Sequence, residues 1–333
     1  MRKLAWCVAL SFMVTTSFAE ISAQPQTSVS IKQVLTDVYN QHLHDVGGKN
    51  ADYIPELAKV NPALFGIAIV TIDGQVETIG NVDVPFAIES ISKPFAYALA
   101  LHDQGEEAVT KKVGLNATGF PFNSVLSIET HPDHLQNPLV NAGAIQITSL
   151  IAGKDSAVKW QRVLDFTKQL SDGNTYLGEK VYQSETATNL HNQAIAKLMG
   201  SYGLMYGDIA DAVDRYTKAC SIMVTAKELA MMGAVLANGG VHPLSHKRLI
   251  EARYVRDVLS QMVTNGLYET SGAWWWEVGI PAKSGVGGGM LAVVPHKMAI
   301  VVFSPPLDMA GNSVRGQAVI NDLSKRFKLH ALE

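Results

Sequence analysis

Ser90 and Lys93 are the two residues of this chain whose types and spacing most clearly suggest covalent chemistry. A free serine hydroxyl is too weakly acidic to attack an amide unless a neighbouring base removes its proton. Residues three positions apart on a helix lie on one face, so the spacing predicts that the lysine amine reaches the hydroxyl. A lysine held in a dry site loses its own proton and can act as this base. The pair therefore predicts acyl transfer by a serine nucleophile with a lysine base.

The sequence around this pair favours a buried site over a solvated helix surface, which is the commoner setting of a lone Ser-x-x-Lys pattern. Residues 84–88 are predicted to form a short buried segment, and residues 95–101 a buried helix. A serine at this junction would lie at a helix N-terminus, where free amides and the helix dipole stabilise an oxyanion. Pro94 fits this placement because the first helical turn tolerates the loss of an amide donor.

The N-terminus has the layout of a secretory signal peptide. Basic residues 2–3 precede an apolar run over 4–14, which is too short to span a membrane. Small residues around Ala19 suit cleavage after this position, and a poorer cleavage site follows at Ala23. The sequence therefore predicts a signal peptide over residues 1–19 and a mature protein that is periplasmic or secreted.

Charge and ligand spacing narrow the possible partners. The net charge is only −3 and no basic stripe is present, so neither nucleic acid nor a membrane surface is expected to bind. His131 and His134 lie in a proline-broken stretch without a third ligand at metal-binding spacing, so we predict no metal, and no cofactor. Removal of Cys7 with the signal peptide would leave Cys220 without a disulfide partner, and we expect it to be a small buried hydrophobe.

The order of the predicted elements indicates how such a site could be positioned. Strand signals at both ends flank a mostly helical middle, which predicts an α/β lobe from about 24–110 and 245–333 and a helical lobe from about 111–244. The serine would lie where the lobes meet, a usual place for a ligand pocket. The predicted elements are a helix at 28–47, strands at 63–70 and 76–79, helices at 158–170, 186–200, 209–219 and 226–237, strands at 290–294 and 298–303, and a helix at 313–327.

Several ordered blocks give this chain a family resemblance. They are Tyr53-Ile54-Pro55, Ser90-Ile91-Ser92-Lys93, residues 137–145, Ser184-Glu185 with Asn192, Tyr216 with Cys220-Ser221, residues 236–240, Tyr268 with Ser271-Gly272, and residues 281–289. Over nearly the whole mature chain, the sequence resembles the bacterial serine-dependent glutaminases. The resemblance implies the α/β (α+β) fold of the serine β-lactamases and penicillin-binding proteins, an antiparallel sheet flanked by helices plus a mostly helical lobe. It also implies a homodimer or homotetramer.

The resemblance implies a reaction as well. Ser90 would attack the side-chain amide of L-glutamine while Lys93 takes its proton, and the acyl-enzyme would then be hydrolysed to glutamate. Tyr216 and Tyr268 match the site tyrosines of the family, and which of them relays a proton to the leaving ammonia stays open. The two oxyanion amides would be those of Ser90 and Val286, where a Gly-rich stretch lets the backbone come close.

Substrate choice depends mainly on one acid. By resemblance, Glu185 would bind the ammonium of glutamine, while Asn141, Asn192 and Tyr53 would bind its carboxylate and amide. The seven-residue spacing of Glu185 and Asn192 predicts that both lie on one face of a single helix, although each taken alone fits a solvated helix surface. The expected substrate contacts also include Ser90, Tyr216, Tyr268 and Val286.

One departure from the family and two alternative functions stay open. Many relatives carry glutamine before the nucleophile, whereas this chain has Glu89, which could raise the effective pKa of the serine or pair with Lys93. A periplasmic β-lactamase or D,D-peptidase would share the fold, but Val140-Asn141-Ala142 replaces the expected Ser-x-Asn triplet and no deacylation glutamate is found. A glutamine-binding protein would need neither nucleophile nor base.

Overall fold

The structure is a computed structural model that describes residues 30–333, so the predicted signal peptide lies outside the described residues. No helix within this range is long and apolar enough to cross a membrane. The helices are α1 (Ile31–His42), α2 (Pro55–Ala58), α3 (Ser92–Gln104), α4 (Glu106–Thr110), α5 (Leu126–Thr130), α6 (Asn141–Leu150), α7 (Ser156–Ser171), α8 (Glu179–Thr188), α9 (Leu190–Ser201), α10 (Ile209–Cys220), α11 (Ala226–Ala237), α12 (Ala252–Asn265), α13 (Ser271–Val278) and α14 (Val314–Phe327).

The strands form two antiparallel sheets. They are β1 (Gly66–Thr71), β2 (Val76–Gly80), β3 (Phe86–Ala87), β4 (Tyr176–Leu177), β5 (Ile222–Val224), β6 (Ala282–Ser284), β7 (Gly289–Val294) and β8 (Met298–Phe303). The larger sheet has the order β2-β1-β8-β7-β6, and the smaller has the order β3-β5-β4. The smaller sheet leads directly into the segment that carries Ser90.

The central strands of the larger sheet are buried on both faces, which explains their nearly continuous apolar sequence. On one face Val301 packs in a core cluster with Leu229 and other residues of α11. On the other face Ile300 and Val302 pack in a second cluster with residues of α1 and α14. The edge strand β2 instead alternates between exposed and half-buried residues. The predicted antiparallel sheet flanked by helices is therefore confirmed.

Most predicted elements are confirmed with shifted ends, and one prediction is wrong. The helix expected over 28–47 is α1, and the strand expected over 63–70 begins only at Gly66. The single helix expected over 186–200 is interrupted at Asn189, which ends α8 and begins α9 with a non-helical ψ of 18°. The Asn189 side chain donates a hydrogen bond to Thr217 Oγ1 at 3.2 Å, which holds the break against α10.

Candidate active site

Ser90 lies in a short 3-10 turn, Glu89–Ile91, that joins β3 to α3. It is buried and lines a cavity of about 120 Å³. The preceding residue, Glu89, has a φ of +51°, a left-handed conformation that costs a residue with a Cβ about 1–3 kcal/mol. Local strain of this kind holds the turn in one shape. Ser90 therefore lines the cavity from the 3-10 turn that precedes α3, and not from the first turn of that helix.

Lys93, in the first turn of α3, is buried beneath the serine. Its Nζ donates hydrogen bonds to Leu139 O at 3.2 Å and Asn141 Oδ1 at 2.7 Å, and among the described hydrogen bonds none joins it to Ser90. The contact expected from the spacing is therefore not formed in this state, because the two acceptors draw the amine towards α6. Burial lowers the pKa of Lys93 to about 8, and the nearby Cys220 and Glu89 oppose this shift.

Asn141, at the start of α6, connects the base to the rest of the pocket. Its Oδ1 accepts from both Lys93 and the Tyr216 hydroxyl, the latter at 3.1 Å. Its Nδ2 donates to Asn192 Oδ1 at 2.9 Å. Because both kinds of amide atom have matching partners, the orientation of the Asn141 side chain is fixed by the network. The structure thus brings the predicted residues Lys93, Asn141, Asn192 and Tyr216 together.

Tyr268 also lies close to Lys93, in a 3-10 turn, with a φ of +56°. Its ring centroid is 5.4 Å from Lys93 Nζ and 4.0 Å from the Nζ of Lys283 on β6. Burial raises the pKa of the Tyr268 phenol, and the nearby Ser90 opposes this rise. Burial and the nearby Lys93 lower the pKa of Lys283 well below its usual range. Two buried lysines therefore lie close to the ring of Tyr268.

Glu185, on α8, forms the acidic end of the pocket. Ser221 Oγ donates to Glu185 Oε1 at 3.3 Å, and the carboxyl group of Glu89 lies beside that of Glu185. Burial raises the pKa of Glu185 to about 7, and the neighbouring Glu89 and Ser221 act against this rise. Oxygen atoms of the two carboxyl groups and Cys220 Sγ all lie within 4.8 Å of one another. Burial and both carboxyl groups raise the pKa of the Cys220 thiol, which favours its neutral form.

The prediction that Glu185 and Asn192 share one helix face is wrong in its geometry. Glu185 belongs to α8 and Asn192 to α9, on either side of the break at Asn189. Both side chains nevertheless line the same cavity, because the break turns the second helix around it. The sequence spacing therefore suggested correctly that the two residues lie at one site, but they do so from two helices and not from one helix face.

Tyr53 and Val286 lie at the rim of the cavity. Tyr53 is 55% exposed, just before α2, so it is open to solvent as well as to the pocket. Val286 lies in the turn between β6 and β7. A Cβ on the next residue, Gly287, would come within 2.2 Å of Ala87 O, so only glycine permits this turn to pack against the segment that leads to Ser90.

The sequence analysis assigns no contact at the site to Ser221 or Lys283, and none with Glu185 to Glu89. Ser221 and Lys283 belong only to the family blocks, and Glu89 is a departure expected to raise the effective pKa of the serine or to pair with Lys93. The structure places the Glu89 carboxyl group beside that of Glu185, and burial raises the pKa of Glu89 well above its usual range, which the nearby Lys93 opposes. The adjacency of Ser221 to Cys220, and the position of Lys283 within the block 281–289, are the signals that the sequence offers.

Comparison with known proteins gives a consistent family. A family model described as Glutaminase matches residues 48–332. The glutaminase of Colwellia psychrerythraea strain 34H is 49% identical over 311 residues, which cover 93% of this chain and 99% of that protein. The solved structure of a protein described as "Probable glutaminase ybaS" has a TM-score of 0.89 at 49% identity, covering 91% of this chain and 98% of the other.

A structure of Mglu in its tris and glutamate form has a TM-score of 0.87 at 38% identity, covering 91% of this chain and 68% of that one. Likeness at this level confirms the expected β-lactamase-like fold class. Taken with the family match over most of the sequence, it shows that this chain belongs to the glutaminase family of hydrolases.

Proposed function

We propose that the protein hydrolyses L-glutamine to L-glutamate and ammonia through an acyl-enzyme on Ser90. Ser90 Oγ attacks the side-chain amide carbon while its proton passes to Lys93 Nζ. The carbon–nitrogen bond then breaks, and a returned proton makes the leaving group neutral ammonia. Water attacks the resulting ester, which releases glutamate and restores the serine hydroxyl.

The hydrogen bonds of Lys93 are the observation that carries this proposal. A neutral amine has two N–H donors and one lone pair, and two acceptors, Leu139 O and Asn141 Oδ1, are already engaged. With both donors used, the lone pair is the group left to accept the Ser90 proton. A pKa of about 8 means that a substantial fraction of the lysine is neutral near physiological pH.

Tyr268 is the better candidate for the proton relay. The nearby Ser90 acts on the pKa of its phenol, and its ring lies 4.0 Å from Lys283 Nζ as well as 5.4 Å from Lys93 Nζ, whereas of these two lysines only Lys93, at 5.8 Å, is recorded over the ring of Tyr216. The Tyr216 hydroxyl is instead donated to Asn141 Oδ1, which already accepts from the base. We therefore assign Tyr216 to positioning of Asn141, and Tyr268 to transfer of the proton from Lys93 to ammonia. The amides of Ser90 and Val286 would bind the oxyanion.

The size and charge of the cavity support an amino-acid amide as substrate. A volume of about 120 Å³ is far below the roughly 300–1,000 Å³ of pockets that hold drug-sized ligands, which disfavours a β-lactam. Glu185 supplies an anion for the ammonium of glutamine, and the amides of Asn141 and Asn192 supply donors for its carboxylate. The glutamate form of the relative Mglu is consistent with this substrate class.

The decisive experiment measures ammonia release from L-glutamine by the purified mature protein, beside L-asparagine and nitrocefin. We expect rapid turnover of glutamine, slower turnover of the shorter asparagine and no nitrocefin hydrolysis. Rapid nitrocefin hydrolysis without ammonia from glutamine would instead support the β-lactamase function.

Export and assembly are further parts of the proposal. The basic and apolar start of the chain supports secretion to the periplasm, with Glu20 as the mature N-terminus. N-terminal sequencing of protein from a periplasmic fraction tests this, and an active cytosolic protein that retains Met1 would contradict it. Family resemblance supports a homodimer or homotetramer, which sedimentation of the mature protein would measure.

A further inference from the structure

Glu89 is a buried acid to which the proposed reaction gives no role. It is 3% exposed, lines the cavity, and its Oε1 receives no hydrogen bond from the described residues. Its carboxyl group lies against that of Glu185, with oxygen atoms within 4.8 Å. A buried carboxylate oxygen without a donor costs free energy, so this arrangement needs an explanation.

Two ionised carboxylates cannot share such a buried space at acceptable cost, so one proton must be held between them. The surroundings decide which acid keeps it. Glu185 accepts a hydrogen bond from Ser221 Oγ, a donor that stabilises a charged carboxylate. Within residues 30–333 no donor reaches Glu89 Oε1, whereas a protonated Glu89 would itself become a donor to Glu185.

We propose that Glu89 is a positioning residue that stays uncharged and donates its proton in a hydrogen bond to Glu185, so that the pocket presents a single, oriented anion to the ammonium of the substrate. This inference rests on the proposed function and deepens it. The ammonium then meets one negative charge held by two donors, Glu89 and Ser221. Glutamine at this position would supply a donor of the same shape without a proton to lose.

The fold holds the Glu89 side chain firmly in this position. Its backbone has a φ of +51°, and its carbonyl accepts a 2.7 Å hydrogen bond from Ser92 Oγ. A Cβ added at Gly285 or Gly287 would come within 3.3 Å of the Glu89 side chain, so the backbone of this turn packs closely on it. The charged and titratable groups that face Glu89 are Glu185, Lys93, Cys220, Tyr53 and Tyr268.

The test compares Glu89→Leu and Glu89→Gln with Glu107→Leu, a control at a side chain that is 85% exposed. Each variant is assayed with L-glutamine and with its analogue lacking the α-amino group. Loss of the donor in Glu89→Leu should raise KM for glutamine about tenfold or more while kcat falls less. The analogue has no ammonium, so its KM should change little. Glu89→Gln should recover most of the loss, and the control should match the wild type.

The pH profile and the infrared spectrum supply readouts that a purely structural role would not move. Since a donor to Glu185 lowers its pKa, the acidic limb of kcat/KM should move to higher pH in Glu89→Leu but not in Glu89→Gln. The wild type at neutral pH should show a protonated-carboxyl band that Glu89→Gln lacks. If Glu89→Leu does not fold, this band and the Glu89→Gln profile still decide the proposal.

Four outcomes would overturn it. Glu89→Gln could be as poor as Glu89→Leu, the analogue could suffer as much as glutamine, or the infrared band could be unchanged by Glu89→Gln. A loss of wild-type activity on dialysis against a chelator would also overturn it, because Glu89, Glu185 and Cys220 would then hold a metal instead of a proton. Absence of ammonia release by the wild type would refute the proposed function. The infrared band would still show whether Glu89 is protonated.

Discussion

The two ends of the pocket experience the same physical effect with opposite consequences. At one end, burial lowers the pKa of Lys93 to about 8, and at the other it raises the pKa of Glu185 to about 7. In both cases burial disfavours the charged form. This favours the proposed role of Lys93, because only a neutral amine can accept a proton. It opposes the proposed role of Glu185, because only a carboxylate can bind an ammonium strongly.

Lys93 and Glu185 also differ in their hydrogen-bond partners. Lys93 donates to two neutral acceptors, Leu139 O and Asn141 Oδ1, which orient the amine without adding a full negative charge beside it. Glu185 instead accepts a hydrogen bond from Ser221, which acts against its rise in pKa. The comparison indicates that burial by itself lowers the pKa of an amine, whereas a buried carboxylate that is to stay charged also needs donors.

The largest effect should come from the nucleophile at the basic end. Ser90→Ala should fold normally yet lower kcat by at least about three orders of magnitude, because acyl transfer needs the attacking oxygen. Ammonia release from L-glutamine measures this, with the exposed Ser201→Ala as a control. Activity above a tenth of wild type would show that Ser90 is not the nucleophile.

Lys93→Ala should reduce kcat about as much as Ser90→Ala, because the members of one catalytic unit are not additive. In the wild type, kcat should rise as the pH increases through about 8, since the neutral amine is the active form. Lys111→Ala, at a side chain that is 71% exposed, is the matched control. Normal turnover by Lys93→Ala near pH 7 would mean that another group deprotonates the serine.

The acidic end should respond more weakly and mainly through binding. Removing one partner of a desolvated charge pair costs roughly 3–5 kcal/mol, so Glu185→Gln should lower kcat/KM for L-glutamine by on the order of a hundredfold or more. The analogue without the α-amino group should be affected much less, and Glu107→Gln serves as the control. Equal losses on both substrates would assign Glu185 to the fold or to the chemistry.

The smallest effect should follow loss of a single donor to that acid. Ser221→Ala should raise KM about fivefold and move the acidic limb of kcat/KM to higher pH, because Glu185 loses a hydrogen bond that lowers its pKa. The exposed Ser260→Ala should leave both quantities unchanged. If the acidic limb of Ser221→Ala is not shifted, the Ser221 hydroxyl does not lower the pKa of Glu185.

Much of the fold follows from local sequence patterns. The apolar runs that form β7 and β8 and the helical period of α10 and α11 are strong local signals, and their bounds agree closely with the structure. The break at Asn189 is different. The break depends on a hydrogen bond to Thr217, a residue distant in the sequence. The helical period of the sequence continues across residue 189, so it does not predict the break.

The site, like the fold, could be predicted from the sequence only in part. Residue types and spacing identified Ser90 and Lys93, and family resemblance supplied the other site residues. Periodicity carries no information on which side chains will be partners across the fold. The contact of Glu89 with Glu185 and the approach of Lys283 to Tyr268 depend on how α8, β6 and two short turns meet. Such contacts become visible only in the three-dimensional structure.

The pairing of β1 with β8 has a consequence for how this enzyme acquires activity as it is made. Gly66 pairs with Phe303, so the central ladder of the sheet must close a loop that contains most of the chain. Long-range pairing of this kind makes folding slow. Val286, which lines the pocket, lies in the turn between β6 and β7, and β7 pairs with β8. A nascent chain that already contains Ser90, Lys93 and Glu185 therefore still lacks one wall of its pocket, and hydrolysis must await synthesis of the C-terminal strands.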